Sequence, residues 1–462
     1  MPVRSDIAVV GAGIGGYVAA LRAAQLGARV VLIEKDKVGG VCLNWGCIPT
    51  KTLLRTAEVL KLAREASKYG VVVGEVSLDW AAAQKRKEQV VRRLTGGVRL
   101  LLEKAGVQLL TGTARFASPS ALELSGENGP ERIEASDYVI ATGSRPLSLP
   151  IPGFDGPDVL ISDGALALDS LPETLLVIGA GAIGAEFATL FRACGVQVTL
   201  VEILPRVLPT LDADLGAEVE RALKRSKVKV YTASKVSKAE TRDGKQAVTI
   251  ERGSEEIVVE VDKILLAVGR RPNVEELGLT SAGIAVEKSG IKVDEHMQTN
   301  VPHVYAVGDV TGGMLLAHVA MHEGIVAVEN ALGHERTVNY DAVPSCVFTW
   351  PEVATVGLSE EQARERGYDV QTGKFPFRAN GKALAHGEYD GLVKIVADSE
   401  YGQILGVHIV GPHASDLIQE ATMALTLEAT LDEFDATIHP HPTLTEALAE
   451  AALAAQGRAL HI

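Results

Sequence analysis

The chain has 462 residues, a formal net charge of −14 at pH 7, and a composition that is 47% hydrophobic but only 4% aromatic. At roughly 150 residues per domain, this length suggests about three domains. The acidic balance argues against sequence-independent binding of nucleic acid, which needs a basic surface. No apolar run approaches the roughly 20 residues of a membrane span, and the opening residues leave no room for a signal peptide, so we expect a cytoplasmic protein without a membrane partner.

The first predicted unit is a strand, a Gly-rich turn, a helix and a second strand over residues 6–34. Gly11, Gly13 and Gly16 form a G-x-G-x-x-G turn, and the second strand ends at Glu34. The first glycine permits the tight turn, the second lets a pyrophosphate approach the backbone, and the third lets helix and strand pack closely. We expect the helix N-terminus to bind phosphate and Glu34 to accept hydrogen bonds from a ribose.

Cys42 and Cys47 are the next feature, and they lie five residues apart. On a regular helix their Cα atoms would be roughly 8 to 9 Å apart, whereas a disulfide needs less than about 7 Å. If the two are bonded, at least one must lie in a loop or an irregular first turn.

A metal site would need further Cys or His, and none lies within thirty residues. Two simply packed thiols remain an alternative, but we favour a redox-active disulfide beside a flavin, with Lys51 and a helix N-terminus stabilising the thiolate. Cys194 and Cys346 are expected to be buried and inert.

Residues 175–202 repeat the plan of the first unit. Gly179, Gly181 and Gly184 form the turn, and the strand after the helix ends at Glu202. In each copy the terminal acid follows the first glycine by 23 residues. One such turn is weak evidence, but two in matching contexts favour two dinucleotide sites over tight turns without a ligand. Glu202 would repel a 2′-phosphate, so the second cofactor should be NAD rather than NADP.

Each unit closes with a buried strand that runs into Gly and then Pro, at residues 138–146 and 264–272. We expect these strands to end where the chain crosses between domains. That point is the carboxyl edge of the sheet, where ligands of α/β proteins bind. The candidate residues there are Thr142, Gly143 and Gly269.

Three polar residues in the last third of the chain are further candidates. Asp309 ends a short predicted strand, and either a solvated loop or a hydrogen bond to a cofactor hydroxyl explains it. His441, flanked by prolines near the end of the chain, is typical of a surface residue. Deprotonation of a dithiol near neutral pH needs a base that titrates there, however, and imidazole does. Glu446 could then fix the tautomer of the ring.

These residues resemble the flavoprotein disulfide reductase family over essentially the whole chain, and within it the dihydrolipoamide dehydrogenases. The resemblance rests on the turn at Gly11–Gly16, the stretch Gly39–Lys51, the second turn running into Ala185-Glu186-Phe187, Gly308-Asp309 with Leu316-Ala317-His318, and His439–Glu446. Trp45, Trp350, Val319 and Met321 depart from the family pattern. These departures remove no catalytic group and concern the substrate channel.

The resemblance implies an α/β fold with two Rossmann-like dinucleotide-binding domains and a C-terminal α+β dimerisation domain. The expected plan is an FAD-binding domain over residues 1–149 and an NAD-binding domain over 150–270. A central segment over 271–340 would return to the FAD domain, and residues 341–462 would form the dimerisation domain.

The resemblance also implies two cofactors, one non-covalent FAD per subunit and NAD, and no metal. Lys51 would lie near the flavin ring and pair with Glu186, Asp309 would bind the ribityl chain, and Ala317 would meet the flavin through its backbone. The residues assigned to FAD are Gly11, Gly13, Gly16, Glu34, Gly40, Cys42, Lys51, Ala114 (near the adenine), Thr142, Gly143, Asp309 and Ala317. The residues assigned to NAD are Gly179, Gly181, Gly184, Glu202 and Gly269.

The implied activity is oxidation of protein-bound dihydrolipoamide to lipoamide with reduction of NAD⁺. Cys47 would form the charge-transfer thiolate against the flavin, and Cys42 would be the interchange thiol. His441, oriented by Glu446, would be the acid/base and would reach the active site of the other subunit of a homodimer. The implied partners are dihydrolipoyl groups and the acyltransferase core of 2-oxo acid dehydrogenase complexes, with glycine cleavage as another setting.

Several rivals within and outside the family are less well supported. A glutathione reductase would need arginines near the second ribose, and only Arg206 is close. A mercuric reductase would need a C-terminal cysteine pair, and no cysteine follows Cys346. A soluble transhydrogenase usually lacks one of the two redox cysteines. Another NAD(P)H-dependent disulfide reductase is the main alternative, and a nucleotide-binding subunit without turnover is a remoter one.

Overall fold

The computed structural model describes residues 2–126 and 131–462. The first part of the chain, up to the first crossing between sheets, is mixed α/β. Its elements are β1 (Val3–Val10), α1 (Ile14–Gln25), β2 (Val30–Glu34), α2 (Gly40–Trp45), α3 (Cys47–Arg64), α4 (Trp80–Lys104), β3 (Gln108–Thr111), β4 (Thr113–Ser118), β5 (Ala121–Ser125), β6 (Glu131–Ile140) and β7 (Ser144–Pro146).

The second part repeats the strand–helix–strand order and adds an antiparallel meander. Its elements are β8 (Val159–Leu160), α5 (Ser162–Leu166), β9 (Thr174–Ile178), α6 (Ala182–Ala193), β10 (Gln197–Val201), α7 (Ala213–Arg225), β11 (Lys229–Tyr231), β12 (Lys235–Arg242), β13 (Lys245–Arg252), β14 (Glu255–Val261), β15 (Lys263–Leu266) and β16 (Arg270–Pro272).

The rest of the chain returns to the first sheet and then builds a separate one. Its elements are β17 (Val304–Ala306), α8 (Ala317–Ala331), β18 (Ser345–Val347), β19 (Glu352–Gly357), α9 (Glu360–Glu365), β20 (Val370–Pro376), α10 (Gly381–His386), β21 (Leu392–Asp398), β22 (Ile404–Gly411), α11 (Ala414–Thr426), α12 (Leu431–Ala436) and α13 (Glu446–Ala455).

The first sheet has the order β3-β2-β1-β6-β5-β4, and β17 pairs with β6. Strands β1, β2, β3, β6 and β17 run parallel, while β5 pairs antiparallel with β4 and β6. The continuous apolar run of residues 7–10 is buried on both faces of the sheet. Ile7 and Val9 pack with residues of α1, α4 and α8, and Ala8 and Val10 pack with β4, β5 and the segment 277–291. The pairing of β17 with β6 brings the central segment back to the first sheet.

The second parallel sheet has the order β11-β10-β9-β15-β8, with the antiparallel meander β12-β13-β14 beside it. The two predicted closing segments lie next to each other, because β7 and β16 pair antiparallel with Arg270 opposite Pro146. The C-terminal sheet, β18-β19-β22-β21-β20, is antiparallel and packs against α11 and α13. The predicted α/β architecture with a C-terminal α+β part is therefore confirmed. The exact domain boundaries stay predictions.

Among the helices of the described residues, none combines the length and the apolar character that crossing a membrane requires.

Candidate active site

The two Gly-rich turns have nearly the same geometry. Gly11 and Gly179 have φ values of +101° and +97°, in the left-handed region that favours glycine. A Cβ at Gly16 or Gly184 would lie 1.8 Å from the carbonyl oxygen of the turn's first glycine. In both turns the first and third glycines are therefore required for the close approach of helix and strand.

The middle glycines face open space, as a pyrophosphate site requires. A Cβ at Gly181 would meet no atom within 4 Å, and one at Gly13 would meet only Gly40 Cα, at 4.0 Å. Gly13 and Gly181 are the N-caps of α1 and α6, and neither helix has a side-chain cap. The first backbone N–H groups of both helices are thus available to an anion. Both turns fit the pyrophosphate of a dinucleotide.

The acids at the ends of the second strands are held alike in both copies. Glu34 accepts hydrogen bonds from the backbone N–H groups of Ala12 at 2.7 Å and Asp36 at 2.8 Å. Glu202 accepts from Ala180 at 2.6 Å and Leu204 at 2.9 Å. Each carboxylate oxygen keeps a further lone pair. Both acids are fixed at the edge of the sheet and can still accept from ribose hydroxyls.

The redox pair lies at a break between two helices. Cys42 is in α2, Cys47 is the first residue of α3, and Gly46 between them is not helical. A Cβ at Gly46 would lie 2.8 Å from the carbonyl oxygen of Val41, so a larger residue would force the two helices apart. This break is the kind of departure from a regular helix that a disulfide between the two cysteines requires. The structure contains both as free thiols that hydrogen-bond to each other.

The electrostatics of the pair distinguish the two sulfurs. A hydrogen bond from the Cys42 thiol, followed by the positive charge of Lys51, lowers the pKa of Cys47 to about 7. The hydrogen bond to Cys47 and burial raise the pKa of Cys42. Cys47 is exposed, whereas Cys42 is partly buried. Of the two thiols, Cys47 is therefore the easier one to ionise.

Lys51 and Glu186 connect three parts of the chain beside the redox pair. Lys51 Nζ contacts Glu186 Oε1 at 2.8 Å and Oε2 at 2.7 Å, and it lies 4.5 Å from the centre of the Phe348 ring. Glu186 is 5% exposed, and its Oε1 also accepts from the backbone N–H of Phe348 at 3.0 Å. Through these contacts α3 of the first sheet, α6 of the second and the end of β18 meet at one carboxylate.

The remaining residues assigned to the two cofactors lie on several elements, and some of them are at the crossing between the sheets. Asp309 is the second residue of a 3₁₀ helix (Gly308–Thr311) that follows β17. It accepts a hydrogen bond from Ser144, which in turn accepts one from Arg270 at 2.7 Å. Thr142 donates to the carbonyl of Asn273 at 2.8 Å. The other assigned residues are Gly143 and Gly269 (both with positive φ), Ala317 at the start of α8, and Ala114, buried on β4.

His441 and Glu446 form a second polar group. His441 Nδ1 lies 2.8 Å from Glu446 Oε1, and Glu446 Oε2 accepts from the backbone N–H of Thr443 at 2.8 Å. The His441 side chain is 79% exposed. Within residues 2–126 and 131–462, no hydrogen bond or ion pair joins this group to the cysteines.

Sequence reasoning missed two polar groups close to these sites. His439 contacts Glu420 two residues before His441, and Lys394 lies in a buried cluster of carboxylates. A histidine next to a proline gives no sequence signal that its side chain is buried. The Lys394 contacts join residues about 180 positions apart, so no local pattern marks them. Only the assembled fold identifies either group.

Comparison with known proteins agrees with this geometry. The family model for pyridine nucleotide-disulphide oxidoreductase matches residues 5–324, and the model for the dimerisation domain of the same family matches residues 343–452. A dihydrolipoyl dehydrogenase from Bacillus subtilis is 45% identical over 474 residues, covering 100% of both chains. One from Thermus scotoductus is 47% identical over 463 residues, covering 99% of this chain and 98% of the relative.

Two solved structures share the fold over nearly the whole chain. LpdA from Mycobacterium tuberculosis superposes with a TM-score of 0.89 at 29% identity, covering 97% of this chain and 99% of the other. The HOCl-induced flavoprotein disulfide reductase RclA from Escherichia coli, in a Cu(II) complex, superposes with a TM-score of 0.87 at 29% identity and the same coverage. With both family models matched and relatives this similar over their full length, the chain belongs to the pyridine nucleotide-disulphide oxidoreductase family.

Proposed function

We propose that this protein is a dihydrolipoyl dehydrogenase, which oxidises dihydrolipoamide to lipoamide and reduces NAD⁺. The observation that carries the proposal is the dithiol pair Cys42–Cys47 at a helix break, beside the Lys51–Glu186 contact. Full-length relatives with this name support it. We also propose that the protein acts in the cytoplasm as a homodimer, which the matched dimerisation domain supports. Its partners would be the lipoyl groups and acyltransferase core of a 2-oxo acid dehydrogenase complex, or a glycine-cleavage system.

The chain's own residues account for the thiol chemistry. In the oxidised form, with Cys42 and Cys47 bonded, His441 of one subunit takes a proton from a substrate thiol in the other. The substrate thiolate attacks the sulfur of Cys42, and the Cys42–Cys47 bond breaks with its electron pair left on Cys47. The second substrate sulfur passes its proton to the departing Cys42 sulfur and attacks the sulfur bonded to Cys42. This closes the lipoamide ring and leaves Cys42 reduced.

The low pKa of Cys47 suits it as the leaving group, because a thiol of lower pKa leaves faster. The Glu446 carboxylate holds Nδ1 of His441 and leaves Nε2 free to take the substrate proton. The first turn would hold FAD and the second NAD⁺, and when bound these groups supply the hydride chemistry that returns the dithiol to a disulfide.

The test is an anaerobic absorbance titration of the purified protein with dihydrolipoamide, alongside steady-state turnover with NAD⁺. We expect a long-wavelength charge-transfer band after about two electrons, the signature of a thiolate beside a flavin. Cys42→Ser should keep the flavin and lose dihydrolipoamide turnover. Cys194→Ser, which alters a partly buried thiol packed against the core at the C-terminus of α6, is the matched control and should keep full activity.

Two outcomes would count against the proposal. Full turnover by Cys42→Ser would show that the cysteine pair is not the path of the electrons. A wild-type flavin that NADH reduces but dihydrolipoamide does not would keep the two nucleotide sites and indicate another disulfide substrate.

A further inference from the structure

The loop that carries His441 contains a second histidine with the opposite environment. The side chain of His439 is only 7% exposed, whereas every other residue from 435 to 442 is exposed. Burial of an imidazole is unfavourable unless hydrogen bonds replace those it makes with water. The burial of His439 within a solvent-facing loop therefore calls for specific partners.

Both ring nitrogens of His439 have such partners. Nε2 lies 2.7 Å from Glu420 Oε1 on α11, and Nδ1 lies 2.9 Å from the carbonyl oxygen of Thr437. A carbonyl oxygen and an ionised carboxylate can only accept hydrogen bonds, so both ring nitrogens must donate. His439 is thus held as an imidazolium, and the Glu420 contact raises its pKa.

The other side of the loop is anchored independently. The side-chain amide of Asn380 donates to the carbonyl of Thr443 at 2.9 Å, and the backbone N–H of Thr443 donates to Glu446 at 2.8 Å. His441 lies between this anchor and the one at His439. Because its own side chain is 79% exposed, the position of the ring depends on Glu446 and on the backbone path between the two anchors.

We infer that His439 and Glu420 form a second imidazole–carboxylate pair, which positions His441 for proton transfer and places a fixed positive charge beside it. The inference rests on the proposed function, since it concerns the base of that reaction. His439 contacts neither substrate nor cysteine in this account. It is a positioning residue that acts through the loop and through its charge.

The charge predicts the direction of a pH effect. The carboxylates that act on His439 are Glu420 on α11 and Glu446 on α13, and Glu428 and Glu433 line the same groove of about 620 Å³. Removal of the imidazolium leaves their negative charge unopposed, which favours the protonated form of His441. Since the reaction needs His441 deprotonated, the acid limb of the kcat profile should move to higher pH.

The decisive variant is His439→Gln, measured by two reactions of the same holoenzyme. Dihydrolipoamide oxidation with NAD⁺ needs His441, whereas oxidation of NADH by ferricyanide needs neither His441 nor the cysteines. We expect kcat for dihydrolipoamide to fall by about tenfold to a hundredfold with little change in KM. The acid limb of the kcat profile should move to higher pH, and the rate of NADH oxidation by ferricyanide should be unchanged. His461→Gln, which breaks a 2.7 Å contact with Glu450 near the chain end, is the matched control and should alter none of these values.

If His439→Gln has the same kcat and pH profile as the wild-type protein, the inference is overturned. The proposed function is unaffected by that result as long as the wild-type protein oxidises dihydrolipoamide. A wild-type protein without dihydrolipoamide turnover would instead overturn the proposed function. If His439→Gln also loses the ferricyanide reaction, Glu420→Gln decides, because it keeps an acceptor for Nε2 and removes the charge that favours the imidazolium. Because Glu420→Gln removes a negative charge together with the imidazolium that this charge favours, its acid limb should not move to higher pH. A fall of about tenfold or more in kcat for dihydrolipoamide with an unchanged ferricyanide rate supports the inference, and a wild-type kcat overturns it.

Discussion

Replacement of Lys394 by methionine should lower the free energy of unfolding by about 3 to 5 kcal/mol. Lys394 Nζ lies 2.9 Å from Asp212, 2.7 Å from Asp214 and 2.9 Å from Glu360. The side chains of Lys394 and Asp212 are only 3% and 2% exposed. Methionine keeps much of the volume but leaves Asp212 buried without its cation, and an uncompensated buried charge is the costly case.

The same change should weaken NAD⁺ binding more than dihydrolipoamide binding. Asp212 caps the N-terminus of α7 by accepting from the backbone N–H of Asp214 at 3.0 Å. The loop before it begins at Glu202, and Leu208 in this loop donates to the carbonyl of Ala180 in the second Gly-rich turn at 2.9 Å. Lys394, on a strand of the C-terminal sheet, therefore anchors the loop beside the second dinucleotide site. We expect a higher KM for NAD⁺ and an unchanged KM for dihydrolipoamide.

Lys374→Met is the matched control, because Lys374 contacts Asp214 at 3.0 Å but is 46% exposed. An exposed ion pair of this kind contributes about 1 kcal/mol or less. Urea unfolding of the holoenzyme should be followed by circular dichroism and by flavin fluorescence, since a multidomain protein need not unfold in one step. If Lys394→Met and Lys374→Met both lose less than about 1 kcal/mol of unfolding free energy, by equal amounts, burial does not make the Lys394 contacts stronger and the argument is refuted.

Acidification provides a second check on the Lys394 cluster. The hydrogen bond from Lys394 lowers the pKa of Glu360. Stability from a lowered carboxyl pKa is present above the unfolded value, about 4.3, and is lost as the pH falls through the folded value. The difference in stability between wild type and Lys394→Met should therefore narrow below about pH 4.

Two further predictions concern the active site. Lys51→Met should raise the pKa of Cys47 above its value of about 7 and Glu186→Gln should lower it, because Lys51 lowers this pKa and Glu186 raises it. The rate of iodoacetamide alkylation of the reduced protein against pH measures both shifts, and shifts in the same direction would contradict the assignment. Gly184→Ala should destabilise the protein, since its Cβ would lie 1.8 Å from a backbone oxygen, whereas Gly181→Ala should leave thermal stability unchanged and raise the Kd for NAD⁺. Equal melting temperatures for the two variants would contradict the packing argument. A calorimetric titration with NAD⁺ measures the expected rise in Kd for Gly181→Ala.

The sequence predicted best those features whose physics is local. The Gly-rich turns need glycine for backbone reasons that act within a few residues, so their spacing identified both sheets and the acids that follow them. The break between Cys42 and Cys47 is the kind of departure that helix geometry requires if the two cysteines are to form a disulfide. The antiparallel meander β12-β13-β14 lay inside the predicted second domain but had no comparable signature.

The charged groups that the sequence did not reveal depend on long-range contacts. Lys394 belongs to a strand whose other residues are mostly buried and apolar, and nothing beside it indicates that carboxylates from α7 and α9 converge on its ammonium group. His439 is buried only because α11 places Glu420 beside the loop. In both cases the partner is chosen by tertiary packing, which a single sequence does not specify locally.

The same reasoning explains why the redox pair depends on the whole fold. Cys42, Cys47 and Lys51 come from one continuous stretch, and a fragment of the first sheet could in principle present all three. The charge that Cys47 experiences, however, is the balance between Lys51 and Glu186, and Glu186 belongs to the second sheet. The backbone of Phe348, from the C-terminal sheet, holds Glu186 in place. Contacts among the three parts of the chain thus set the pKa of Cys47, and with it how readily this sulfur acts as a leaving group.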